Sequence, residues 1–340
     1  VERVAVLVLA YGGPESLDEV GPFLRRVMAP REPSADAVAR AVERYSRIGG
    51  RSPLMENTRE QARSLEERLN AGESGSSTVE GTARVFRVFV GARHIVPGVA
   101  AALELAAEAA DRAVVAVVLA SHQSERATGG YLSDLASAFS ALPEPERRRL
   151  GPPRVVDPWH TSPSYLGAVA GRIQEAEARL ADRAAGSRPV VMFTAHSLPL
   201  ADGAGDPEYE RRLGETIDGV VPLISPPPAW LLAYQSASAA RGGAWLGPDA
   251  GGEMRRLASE GVDRVVVMPL GFVSEHLETL FDLDIELAGI AAEAGVVMER
   301  AATVQGTAGL METLAEAVRG SLAGVRTDAA GSLPSLEVRV

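Results

Sequence analysis

The sequence predicts an α/β protein of two similar lobes, each a parallel sheet flanked by helices. Three observations carry that prediction. At 340 residues the chain is longer than one hydrophobic core usually serves. Short runs rich in Val, Leu and Ala recur along it, bounded by glycine or proline. Helical apolar spacing fills most of the intervals between them, and strand–helix alternation implies a mostly parallel sheet covered on both faces. With 46% hydrophobic but only 5% aromatic residues, Ala, Val and Leu must fill the cores.

Taken in order, strands are expected at 4–10, 85–90, 114–120, 190–195, 230–234, 265–270 and 295–300, with a short one at 154–156. Helices are expected at 16–27, 35–48, 56–69, 97–111, 165–183, 249–261, 274–293 and 307–322. The three helical pieces between the first two strands exceed a simple crossover and could wall a cleft. Residues 71–81 (AGESGSSTVEG) read as a surface loop. The charged, proline-bracketed stretch 143–153 is the expected exchange between lobes. That gives an N-terminal lobe at 1–152, a C-terminal lobe at 153–305, and a helix plus tail at 306–340 packing back on the first lobe.

Composition excludes several functions. The absence of cysteine rules out disulfides, thiolate zinc sites and cysteine-ligated iron–sulfur clusters. A net charge of −11 with no long basic tract argues against nucleic-acid binding. No apolar run reaches bilayer-spanning length, and VERVAVLVLA lacks a cleavage-site pattern, so membrane insertion is not expected and a cytoplasmic location is. All 34 basic residues are arginine, which weakens any single arginine as a functional signal.

The densest chemistry lies in VMPLGFVSEHLETLFDLDIE (267–286). Glu275, Glu278, Asp282 and Glu286 recur at helical spacing beyond the carboxyl end of a strand, where open α/β sheets bind ligands. Stacked like charges repel unless water or cations share the site, so the row reads either as a cation path or as a solvated acidic face. A second block, VVMFTAHSLP (190–199), leaves His196 at a strand end. There an imidazole could accept a proton or bind a metal; the alternative is a buried histidine satisfied by a backbone carbonyl.

AYGGP (10–14) permits close backbone approach beside Tyr11, yet it is not a dinucleotide fingerprint. From 25 to 51, seven arginines face three acids, which suggests a patch for an anionic small molecule. Arg31 and Arg51 lie in loop-like stretches; the others read mainly as helix surface. Ser52 fits a helix cap or a ligand contact. Tyr131 follows SHQSERATGG, read as a polar loop holding His122 and suited to a cleft rim. Tyr45, Trp230, Tyr234 and Trp245 read as packing residues, and His94 and His160 as surface or capping residues.

Six segments occur in a shared order: AYGGP (10–14), YSRIGGRSPL (45–54), FVGARHIVP (89–97), TAHSLP (194–199), YQSASAARGGAWLGPD (234–249) and PLGFVSEHLETLFDLDIE (269–286). Together they resemble the ferrochelatase family, which inserts ferrous iron into a porphyrin. The resemblance implies a chelatase-like fold with a porphyrin cleft between the lobes. By motif position it makes His196 and Glu278 the catalytic pair, with His196 as pyrrole proton acceptor. The same resemblance makes His196, Glu278, Asp282 and Glu286 the metal-handling set on an irregular helix, where π winding would align a four-residue spacing better than an α-helix. Tyr11, Arg31, Ser52 and Tyr131 become substrate-binding positions, Glu275 and His276 supporting residues, and Asp284 faces elsewhere.

It further implies porphyrin and ferrous iron as substrates, no organic cofactor, a regulatory Mg2+ near the carboxylate row, and a monomer. Without cysteine there is no [2Fe–2S] cluster, and the soluble members of Gram-positive bacteria typically take coproporphyrin III, which suits the arginine-rich segment. The alternatives are a related tetrapyrrole chelatase using cobalt and a non-catalytic haem- or metal-binding protein.

Overall fold

The computed structural model describes residues 1–71, 77–79, 82–96, 98–111, 113–183, 185–200, 203–237 and 243–323. The first lobe runs β1 (Glu2–Ala10), α1 (Leu17–Met28), α2 (Ala35–Arg47), α3 (Leu54–Asn70), β2 (Ser77–Val79), β3 (Thr82–Ala92), α4 (Val99–Ala109), β4 (Ala113–Val118), α5 (Glu125–Ala141), α6 (Glu144–Leu150) and β5 (Arg154–Val155). The second runs α7 (Pro163–Arg183), β6 (Val190–His196), α8 (Pro207–Val220), β7 (Trp230–Gln235), α9 (Ala250–Ser259) and β8 (Arg264–Met268). A π-helix (Glu278–Leu287) then continues as α10 (Ala288–Glu293), followed by β9 (Val297–Arg300) and α11 (Ala308–Leu322).

The first sheet has the order β2-β3-β1-β4-β5 and the second β7-β6-β8-β9. All pairings are parallel except β2 on β3. Alternation along β1 sends Val4, Val6 and Val8 into one core and Ala5, Leu7 and Leu9 into another. Burial on both faces explains why the strand reads as an unbroken apolar run. The first of these cores is common to both lobes. It joins β1 and α3 to Ile173 and Leu180 of α7, Val191 and Phe193 of β6, and Leu314 and Val318 of α11. A middle helical layer thus serves both sheets, and α11 packs on α7 of the second lobe as well as on α3 and β4 of the first.

The structure corrects several expectations. α5 occupies the stretch read as a polar loop, because Ser124 caps it (Ala127 N–H to Oγ, 3.1 Å) and Gly130 leaves room for the Arg93 side chain. A Cβ at Gly130 would collide with that guanidinium, which pairs with Asp134 at 2.9 Å. α6 lies inside the expected boundary stretch, and β2 inside the expected 71–81 loop. α8 begins at a side-chain cap from Asp206 with Pro207 in its first turn. β5 pairs with β4, so the first sheet takes its last strand from beyond residue 152. The segment expected to be helical from 274 winds only from Leu277 onward. The tail from 324 lies outside the described residues.

A buried polar chain joins the lobes. Tyr165 Oη donates to Ser121 Oγ (3.1 Å), which faces His122 Nδ1 at 2.9 Å. His122 Nε2 lies 3.0 Å from Thr216 Oγ1, which reaches the His160 carbonyl at 3.1 Å. His160, expected at the surface, is buried with Nε2 2.8 Å from Glu215. Burial, with the neighbouring His160 and Arg212, lowers His122 to about 3. Its unfolded-state value stays near 6.5. Between those values the unfolded chain binds the extra proton, so stability falls as pH drops from 6.5 towards 3, with a limiting slope of about 1.4 kcal/mol per pH unit. Urea unfolding over that range should show a shallower slope for His122→Gln than for the wild type. Equal slopes would remove His122 as the source.

Candidate active site

The carboxyl ends of β6, β7 and β8 place three chain segments side by side. His196 is the last residue of β6 and registers with Gln235, the last residue of β7. Past β8 the chain turns at Gly271, whose N–H donates to Thr194 O at 3.0 Å, and leads to the π-helix that begins at Glu278. His196 Nε2 stands 3.4 Å from Glu278 Oε1. The other ring nitrogen, Nδ1, contacts the Ser197 carbonyl, which can only accept, so Nδ1 carries a proton and Nε2 is the atom turned to the cleft. Tyr209 Oη steadies the His196 carbonyl at 3.2 Å.

The backbone of Glu278 is held on both sides. Gln235 Nε2 donates to its carbonyl at 2.8 Å, and its N–H donates to His276 Nδ1 at 3.0 Å. Burial lowers His276, which suits that acceptor role. Burial opposes charge on both members of the central pair, but each partner's charge overrides it. Glu278 raises His196 to about 9, and His196 lowers Glu278 to about 2. Each partner therefore favours the other's charged form, imidazolium beside carboxylate.

Asp282 is buried one step along the π-helix. One oxygen pairs with Arg44 of α2 and the other accepts from Ser236 Oγ at 2.5 Å. Burial, with the charge of Glu278, lifts Asp282 to about 6 despite Arg44. Glu286 lies exposed further on. A turn of α-helix takes 3.6 residues, so carboxylates four apart drift round it; the wider π turn reduces that drift. Both Asp282 oxygens are thus engaged, while Glu286 is open to solvent. Among the described residues no group of three or more His, Cys, Asp or Glu could hold a metal.

The first lobe faces this pair. Tyr11 follows β1 and packs edge-on against His94 (4.5 Å between ring centroids) and Phe23 (6.3 Å). Tyr131 was expected on a rim loop, but it lies on α5 in the first lobe's core, with Arg93 5.8 Å over its ring. Burial, then the nearby Tyr11 and Glu278, raises its phenol above the ordinary range. Tyr45, buried at the end of α2, is raised by burial and by Glu278. The Glu278 charge thus acts on tyrosines of the first lobe.

Ser52 is buried, its N–H donating to Pro14 O at 2.8 Å and its Oγ accepting from Leu54 N–H at 3.3 Å. Ser52 stands one residue ahead of Pro53, the N-cap position of α3. Arg31 is exposed after α1, and Arg51 forms an exposed pair with Glu56 at 3.1 Å. The arginines that reach the acidic helix are instead Arg44 and Arg47, whose guanidinium carbons lie 4.7 and 5.1 Å from the Phe281 ring centroid. Both had read as helix surface. Their spacing of three residues near the end of α2 was the available signal, but Asp282 lies 238 positions from Arg44.

A family model described as Ferrochelatase matches residues 3–322. The chain is 33% identical over 324 residues to a ferrochelatase of Thermus thermophilus, covering 92% of this chain and 98% of that protein. It is 34% identical over 297 residues to a coproporphyrin III ferrochelatase of Anoxybacillus flavithermus, covering 86% and 88%. In solved structures its fold is similar to SirB from Bacillus subtilis with Fe3+, at a TM-score of 0.55 and 10% identity over 94% of this chain and 95% of that one. No helix among the described residues is long and apolar enough to cross a membrane.

Proposed function

Because the chain belongs to the ferrochelatase family of metal-inserting enzymes, we propose that its substrates are ferrous iron and coproporphyrin III, brought together at the His196–Glu278 pair. That pair is the observation that carries the reading: a histidine at a strand end and a carboxylate on the π-helix, 3.4 Å apart and backed by a second carboxylate. The relatives named coproporphyrin III ferrochelatase support the choice of porphyrin, as does the arginine-rich α1–α2 wall.

Iron enters the ring as a divalent cation and two pyrrole protons leave, so the macrocycle carries the same net charge before and after. Nδ1–H is tied to the Ser197 carbonyl, which leaves Nε2 as the proton-accepting atom. In the free site Nε2 already holds a proton. An approaching cation repels it, and Asp282, lifted to about 6, is poised to take it near neutral pH and release it towards exposed Glu286. Glu278, ionised beside the imidazolium, attracts the metal to the same spot.

The porphyrin is tested by comparing kcat/KM for coproporphyrin III and protoporphyrin IX in anaerobic insertion assays. Coproporphyrin carries more carboxylates for the arginine wall and is expected to be favoured about tenfold or more. A preference for protoporphyrin would overturn that choice.

A further inference from the structure

A π-helix is rarely stable by its own winding, so the one carrying Glu278 and Asp282 needs support from its surroundings. Arg300, the last residue of β9, supplies it from the second lobe. Its Nη1 donates to Glu275 Oε1 at 2.9 Å, while Nε and Nη2 donate to the two oxygens of Asp284 at 2.5 and 2.9 Å. Glu275 lies three residues before Glu278, and Asp284 two after Asp282. One guanidinium therefore grips the chain on either side of both carboxylates.

Neighbouring groups complete the seat. Thr303 N–H donates to Glu275 Oε1 at 3.0 Å, and Gln305 Oε1 accepts from Glu275 N–H at 2.7 Å and from Ser274 Oγ at 3.1 Å. The Arg300 and Glu275 side chains are only 14% and 15% exposed, so solvent screens their pairing weakly. Only a planar fork can serve two carboxylates in this way; an ammonium would bind one and release the other.

We propose that Arg300 is a positioning residue for metal insertion, stapling Glu275 to Asp284 so that Glu278 and Asp282 stay in register on the π-helix. The proposal rests on the reading that those two carboxylates handle metal and protons. It is tested on the full chain with ferrous iron and whichever of coproporphyrin III and protoporphyrin IX the wild type metallates faster. Porphyrin binding by fluorescence quenching and unfolding in urea are measured alongside.

Arg300→Lys keeps a positive charge beside buried Glu275. It is expected to keep the unfolding midpoint and porphyrin affinity near wild type while kcat falls about tenfold to a hundredfold. Asp284→Asn leaves the Arg300–Glu275 pair intact and is expected to lower kcat in the same direction by a smaller factor. Wild-type kcat in Arg300→Lys would show that charge alone suffices and would overturn the staple. So would unchanged kcat in Asp284→Asn, or porphyrin affinity lost in proportion to kcat. Glu278→Gln separates the two levels. If it inserts iron normally, the underlying reading fails; if it is impaired while both staple variants are normal, only the staple fails.

Discussion

Replacing His196 with alanine is expected to slow ferrous insertion about a hundredfold to ten-thousandfold, with porphyrin affinity changed by no more than about threefold. The variant loses Nε2, the one imidazole atom aimed at Glu278, while the porphyrin keeps its contacts elsewhere in the cleft. Glu278→Gln should cause a loss of similar size and also change the pH profile. In the wild type the Glu278 charge keeps His196 protonated up to about 9, so kcat/KM should climb about tenfold per pH unit from 6 towards that value. Glutamine removes the largest raising charge and leaves burial, which lowers His196, against the Ser197 carbonyl and Asp282, so the limb should move to lower pH. Near-normal turnover in both variants, or a limb that does not move in Glu278→Gln, would sink the assignment.

Gly309→Val should be the costliest single change far from the cleft. A Cβ at Gly309 would run into the Ser164 carbonyl oxygen and come within 2.9 Å of Ala168 Cβ, both on α7. The overpacking should cost about 3 kcal/mol, and it falls where α11 and α7 share the core of both lobes. Gly320 in the same helix is the control, since a Cβ there meets nothing within 4 Å. Gly320→Ala should be neutral or stabilising by up to about 1 kcal/mol. Urea unfolding decides, and equal midpoints for Gly309→Val and the wild type would refute the account.

The central strands β1, β4, β6 and β8 were legible because they are buried on both faces, which writes β-branched residues into a continuous run. α5 was not, since adjacent Gly129 and Gly130 look like loop until Arg93 is seen to lie across the second of them. α8, which lies outside the expected helices, carries a clear start signal in Asp206, Pro207, Glu208 and Glu210. At the site, His196 and the acidic row were visible as motifs. Their electrostatic state was not, because no local spacing tells how closely Nε2 approaches Glu278. Arg44 and the burial of His122 and His160 were hidden for the same reason: each is fixed by a partner far along the chain.

The π-helix has a consequence for how this sequence can change. A π turn contains more residues than an α turn, so losing one residue between Glu278 and Asp282 would let the ordinary i→i−4 ladder form. The shortened helix would be the more comfortable one for the backbone. It would also swing Asp282 away from Ser236 and Arg44 and turn the later carboxylates off the path that leads from Glu278. Selection for stability and selection for metallation thus pull in opposite directions at a single residue of length.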